Sequence, residues 1–156
     1  GAMIFFDPGC LFVEKGMKGL KEILALSTVV KLNKVEAARL TGEKDTVKGA
    51  KKIRKLGPEV ILVTLGSEGC YILTKELETR IPAYLNFKPL DKTGAGDAFD
   101  AGFLAGFLKG WSVEESVKFG NLVAGISITK VGARTVPTIN ELKTYPEAKE
   151  FRLEVK

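Results

Sequence analysis

The chain has 156 residues, with 24 Lys and Arg against 19 Asp and Glu and a formal net charge of +5. Its 45% hydrophobic and 28% charged content is an ordinary globular mix, which excludes a disordered or collagen-like chain and suits one domain of about 150 residues. No apolar run approaches the ~18 residues of a membrane span, and the basic residues are scattered among acidic ones, so neither a membrane nor a nucleic-acid partner is expected.

Histidine is absent. That removes Ser-His-Asp and Cys-His chemistry, HExxH zinc sites and any imidazole general base. The two cysteines, Cys10 and Cys70, cannot complete a zinc site and could make one disulfide at most. With no signal-like segment ahead of the first strand, the expected location is cytoplasmic. Gly1-Ala2-Met3 reads as a tag-cleavage remnant, so the fold is expected in residues 4–156.

The elements alternate. Ile4–Asp7 reads as a strand stopped by Pro8-Gly9, and residues 15–26 as a helix with Met17, Leu20, Ile23 and Leu24 at helical spacing. Thr28–Leu32 is a β-branched, apolar strand, followed by a helix from Lys34 to Leu40 closed by Gly42. Asp45 is the expected N-cap of a basic helix that runs to Leu56 and stops at Gly57-Pro58. Val60–Thr64 has the unbroken apolar character of a strand covered on both faces. Gly66 and Gly69 turn the chain into Cys70–Thr74, an antiparallel partner, and residues 79–90 hold one more strand and a loop. Helices are expected from Ala95–Asp97 to Lys109, from Ser112 to Lys130, and after Thr138; the last two open on Ser-x-x-Glu and Thr-x-x-Glu capping boxes. Strands separated by helices predict an α/β layer fold with a mostly parallel sheet flanked by helices.

The segment Asp91-Lys92-Thr93-Gly94-Ala95-Gly96-Asp97-Ala98-Phe99 is the most informative. Small residues at a helix opening let an anion reach the unpaired first-turn N–H groups, and Asp97 in that turn could take a proton beside a transferring phosphoryl group. The competing reading is a tight turn with Asp97 complementing the helix dipole. The pattern is neither a Rossmann fingerprint nor a P-loop. Phe99, Phe103 and Phe107 read as a core stripe, with Gly102 and Gly106 allowing close packing. Asn33 and Glu36, at i and i+3, suit either a capping box or hard-oxygen ligation of Mg²⁺ through water. Thr64-Leu65-Gly66-Ser67-Glu68-Gly69 is by itself a hairpin turn.

The same residues resemble the ribokinase-like (PfkB) carbohydrate kinases. Asp91–Phe99 is similar to that family's second signature, D-[TS]-[TV]-G-A-G-D-[AST]-F, with Lys92 departing from the usual Thr or Ser. The resemblance implies Asp97 as catalytic base and the backbone of Gly94, Ala95 and Gly96 as an anion hole. It implies a monovalent cation, K⁺, at Asp91 and Thr93. Asn33-x-x-Glu36 resembles the family's N-x-x-E motif, which organises magnesium and its waters. The turn carrying Thr64, Gly66, Ser67 and Gly69 resembles the T-x-G-x-x-G turn along the ATP phosphates. Asn121 falls in the helix that flanks adenine, where a cap or a solvent-facing role is the alternative, and Gly132-Ala133 with Pro137 resembles the segment that closes the pocket.

The resemblance spans about residues 4 to 145 and covers the C-terminal half of a family near 300 residues long. It implies a ribokinase-like fold, ATP and Mg²⁺ as cofactors, and phosphoryl transfer from ATP to a hydroxyl of a sugar. Two alternatives stand beside it: a non-catalytic nucleotide-binding fragment, and the kinase half of a bifunctional enzyme for a sugar phosphate or nucleoside. An apolar parallel edge left by the absent strands predicts self-association.

Overall fold

The computed structural model describes residues 2–153. The chain divides into two compact units: residues up to Gly66 with Cys70–Arg80, and Ser67–Gly69 with the residues from Ile81 onward.

The first unit is built on a sheet of five strands in the order β1-β2-β3-β4-β5: β1 (Phe5–Phe6), β2 (Val29–Asn33), β3 (Val60–Thr64), β4 (Cys70–Leu73) and β5 (Glu78–Ile81). β1, β2 and β3 run parallel, with Phe5 opposite Val29 and Asn33 opposite Thr64. β4 returns antiparallel to β3, with Thr64 opposite Cys70. The parallel arrangement explains the unbroken apolar run of β3 and the run of β2 that only Lys31 interrupts. Val29–Leu32 and Val60–Val63 are buried residue after residue, because both faces of such strands are covered. Val30, Leu32, Ile61, Val63 and Tyr71 join Leu24, Leu40, Ala50 and Ile53 from the helices in one core.

The expected helix over residues 15–26 forms only in pieces. α1 (Gly9–Phe12) leads through a 3₁₀ turn at Val13–Lys15 into α2 (Gly16–Gly19) and α3 (Lys21–Leu26). Gly16 has φ +63° and Leu20 leaves helical geometry at φ −106°, ψ 7°, so the i, i+4 pair Leu20 and Leu24 is buried from the junction of two short helices and from the second of them rather than from one continuous helix. The other helix signals are local and hold. α4 (Lys34–Thr41) starts at a reciprocal Asn33/Glu36 capping box and ends at left-handed Gly42, and α5 (Thr46–Arg54) starts at Asp45, whose Oδ1 accepts the Lys48 N–H at 2.8 Å.

In the second unit, α6 (Ala95–Phe107) packs on α7 (Val113–Ser127), and α8 (Ile139–Leu142) follows. Ser112/Glu115 and Thr138/Glu141 form the two expected capping boxes. Phe99 and Phe103 are buried as the stripe predicted, while Phe107 is half-buried and stacks on Phe103 at 5.2 Å between centroids. Close approach of α6 and α7 depends on glycine. A Cβ on Gly102 would lie 2.9 Å from Gly120 Cα and from Val123 Cγ2. Gly102→Ala is therefore expected to cost about 2 kcal/mol, a fall in Tm of about 5 °C for a chain of this size, as read by thermal denaturation. Among the described residues no helix is long and apolar enough to cross a membrane.

Candidate active site

In the sheet unit, the polar residues gather at the C-terminal ends of the parallel strands. Asn33 and Thr64 are register partners at the ends of β2 and β3, and the Thr64 hydroxyl donates to the Leu32 carbonyl at 3.5 Å. Asn33 Oδ1 accepts the Glu36 N–H at 2.9 Å, and Glu36 Oε2 accepts the Asn33 N–H at 2.8 Å. The capping role is thus real. Glu36 is buried, with one carboxylate oxygen committed to the cap, so the other is the oxygen available to a hydrated cation. That donor set fits magnesium, which keeps most of its waters and takes one or two protein carboxylates. Among the described residues, no three His, Cys, Asp or Glu side chains converge as a ready-made metal cage.

Sequence reasoning passed over Lys31. Its Nζ donates to Asp7 Oδ2 at 2.7 Å, tying the middle of β2 to the residue that follows β1, and the Lys31 side chain is only 4% exposed. An ammonium so buried needs its charge partner, yet in the sequence Lys31 is one lysine inside an apolar strand. The turn after β3 begins with exposed, left-handed Gly66 (φ +63°), beside which a Cβ would meet open space.

In the second unit, Ser67 is exposed and Gly69 is buried. Gly94 opens α6 in the left-handed region at φ +77°, and a Cβ there would sit 2.5 Å from the Ala133 carbonyl oxygen. The Gly132-Ala133 segment therefore lies directly on the helix opening. Intrahelical bonding starts only at the Ala98 N–H, which donates to the Gly94 carbonyl at 2.9 Å. The Ala95 N–H donates to the Lys92 carbonyl at 3.2 Å. Gly96 and Asp97 supply the remaining amides of the first turn, and both residues are exposed. Such an opening can hold an anion with a carboxylate beside it.

Asp91 braces this opening. Its Oδ1 accepts the Thr93 N–H at 2.9 Å and its Oδ2 the Gly132 N–H at 2.9 Å. These two backbone donors hold its carboxyl below the usual 3.8. Because the folded value is depressed, the brace is complete above pH 3.8 and is lost as pH falls through the lowered value. Asp91→Asn is expected to speed amide exchange at Gly132 about ten-fold at neutral pH, as read by NMR, and to remove this acid-dependent step.

Asn121 neither faces solvent nor caps a helix. It is buried on α7, and its Nδ2 donates to the carbonyls of Ile81 and Pro82 at 3.3 and 3.0 Å. Those partners lie 40 and 39 residues away in sequence.

A mostly parallel sheet with flanking helices is the arrangement of the ribokinase-like α/β fold. The crystal structure of ribokinase from Thermotoga maritima superposes with a TM-score of 0.81 at 29% identity, over 92% of this chain and 48% of that one. The structure of Arabidopsis thaliana ribokinase complexed with ribose and ATP gives a TM-score of 0.68 at 29% identity, over 72% of this chain and 38% of that one.

Residues 6–139 match the pfkB family carbohydrate kinase model, and the chain belongs to that family. It is 41% identical over 131 residues to an uncharacterized sugar kinase of Archaeoglobus fulgidus, covering 84% of this chain and 52% of that protein. The chain thus spans about half the length of the relatives it matches.

Proposed function

We propose that this chain supplies the nucleotide and catalytic-base machinery for ATP-dependent phosphorylation of a hydroxyl on a sugar or sugar-like substrate. The observation that carries the reading is the opening of α6: left-handed Gly94, first-turn amides ahead of the hydrogen-bonded helix, and exposed Asp97. The family membership supports it, as does the ribose and ATP complex of the Arabidopsis relative.

In this reading, Asp97 takes the proton of the attacking hydroxyl. The backbone of Gly94, Ala95 and Gly96 faces the charge that develops on the transferring phosphoryl oxygens, with Gly96 offering the N–H that Ala95 spends on Lys92. The transition state of phosphoryl transfer is loose, so fixed dipoles and positioning carry most of the rate. Thr64, Gly66, Ser67 and Gly69 take the nucleotide phosphate contacts, and Asn121 stands on the helix assigned to the adenine side. Glu36, held by Asn33, binds Mg²⁺ through water, and that ion supplies neutralisation of phosphate charge. Asp91, kept ionised by its two backbone donors, has the charge to attract a monovalent cation such as K⁺ near Thr93.

Calorimetry with Mg-ATP tests the binding part on this chain directly. Heat of binding that saturates, and that is lost on chelation of magnesium, is the expected result; no heat up to millimolar nucleotide refutes it. Because the chain spans about half of its relatives, it is expected to bind without phosphorylating by itself. A coupled assay over a sugar panel on a complete kinase carrying these residues tests the transfer.

A further inference from the structure

The segment from Glu141 to Arg152 carries Glu141, Glu147 and Glu150 against Lys143, Lys149 and Arg152, a balanced set in the sequence. The structure separates the two signs. Glu141 Oε1 accepts from Lys130 Nζ at 2.8 Å, and its Oε2 accepts the Thr138 N–H at 2.8 Å. Glu147 Oε1 accepts from Asn86 Nδ2 at 2.6 Å, and Glu150 Oε1 accepts from the Tyr84 hydroxyl at 2.5 Å. All three acids are thus turned toward a helix cap or toward the loop at residues 84–86.

The three cations are left together. Lys143, Lys149 and Arg152 are exposed, and none has an ion-pair partner among the described residues. Glu115 feels the Arg152 charge, but its carboxylate is held low first by the Ser112 N–H and hydroxyl, at 3.0 and 2.9 Å. The three cations line one hollow of about 420 Å³, whose other walls are Ala148, Phe151 and Leu153. That wall is anchored: Ala148 and Leu153 are buried, and the Phe151 ring stacks on Trp111 at 5.8 Å and leans on Phe119 at 5.0 Å. Like charges gathered round a fixed hollow repel one another, and a bound anion relieves that repulsion.

We propose that this hollow binds a small phosphorylated molecule carrying two or more negative charges, with its phosphate oxygens on Lys143, Lys149 and Arg152 and its body against Phe151. The Arg152 guanidinium offers paired donors that match two phosphate oxygens, and the lysines add point charges. The volume is that of a small-molecule site, roughly 300–1,000 Å³. A nucleic acid needs a continuous basic track, whereas the other basic residues of this chain are scattered among acidic ones. The segment lies wholly outside residues 6–139, the part that matches the family model, so the site is separate from the nucleotide and base roles proposed above.

Calorimetry at low salt with fructose 1,6-bisphosphate and with inorganic pyrophosphate tests this on the chain itself, with NMR to locate the response. The expected result is a submillimolar dissociation constant for at least one probe, weakened by added salt, with shifts at the amides of Lys149, Phe151 and Arg152. The tighter probe names the source, an organic phosphate ester or free pyrophosphate. Changing Lys143→Gln, Lys149→Gln and Arg152→Gln together is expected to weaken binding about ten-fold or more. The Tm should stay within about 2 °C, because all three side chains are exposed. Lys44→Gln, Lys48→Gln and Lys55→Gln together remove the same charge from exposed positions of the first unit and should alter binding less than about two-fold. Equal losses from the two triple variants overturn the proposal, since net charge alone would then explain the binding. So do binding only at millimolar probe or weaker, and a short RNA that takes the same amides more tightly. Shifts confined to Gly94–Asp97 also overturn it, while leaving the nucleotide reading intact.

Discussion

Replacing Asp97 by asparagine in a complete kinase that carries this chain is expected to lower kcat about a hundred- to ten-thousand-fold, the range for loss of a positioned general base. Asparagine keeps the shape of the side chain and cannot accept the proton. ATP affinity should stay within about two-fold or tighten, because the variant removes a negative charge from beside the phosphate oxygens. Asp97 is exposed in the first turn of α6, so its loss from the helix N-terminus costs only about 0.5 kcal/mol and the fold should persist. Steady-state kinetics and calorimetry on one preparation separate the two effects. An unaltered kcat removes Asp97 from the base role, and a collapse of Tm would make it structural.

Gly69→Ala should be the most damaging alanine substitution among the described glycines, at about 4 kcal/mol. Gly69 sits at φ +92°, where an L side chain is strained, and its Cβ would overlap the Ile81 carbonyl oxygen and lie 2.7 Å from Ala83 N and from the Pro82 carbonyl carbon. All three obstacles are backbone and cannot swing aside as a side-chain tip would. Gly66, three residues earlier in the same turn, is also left-handed at φ +63°, but nothing lies within 4 Å of its Cβ position. Gly66→Ala should therefore cost only the conformational part, about 1 kcal/mol. Denaturant unfolding of the pair measures the difference. Equal losses would mean that the Ile81–Ala83 backbone moves away from Gly69 without cost.

The same comparison marks what could be read in the chain before folding. The Asn33/Glu36, Ser112/Glu115 and Thr138/Glu141 boxes were legible because both partners lie three residues apart, and helical geometry alone brings them together. The strands Val60–Thr64 and Cys70–Leu73 were legible from their apolar runs and the glycine turn between them. The broken path through residues 9–26 was not: Met17, Leu20, Ile23 and Leu24 keep helical spacing even though the backbone leaves the helix at Gly16 and Leu20. Spacing reports which side chains are buried, and two short helices can bury them as well as one.

At the candidate site the division is sharper. The glycines and Asp97 stand out in sequence because small residues at a helix opening leave room for an anion, while the same spacing also reads as a tight turn with Asp97 complementing the helix dipole. Their bracing did not stand out: Gly132 donates to Asp91 across 41 residues, the Ala133 carbonyl leaves no room for a side chain at Gly94, and the Asn121 amide ties down carbonyls about as far away.

The sequence by itself determined the order of the strands, the caps of the longer helices and the glycine-rich, acidic composition of the turn that opens α6. Each of these rests on bonds within a few residues, which backbone geometry dictates. Only the tertiary structure decided that Asp7 would neutralise a buried Lys31, that Asp91 would hold the Gly132 loop, and that the acids of residues 141–152 would part from the bases beside them. Those contacts join residues far apart in the chain, and their partners are chosen by how the packed strands and helices place them.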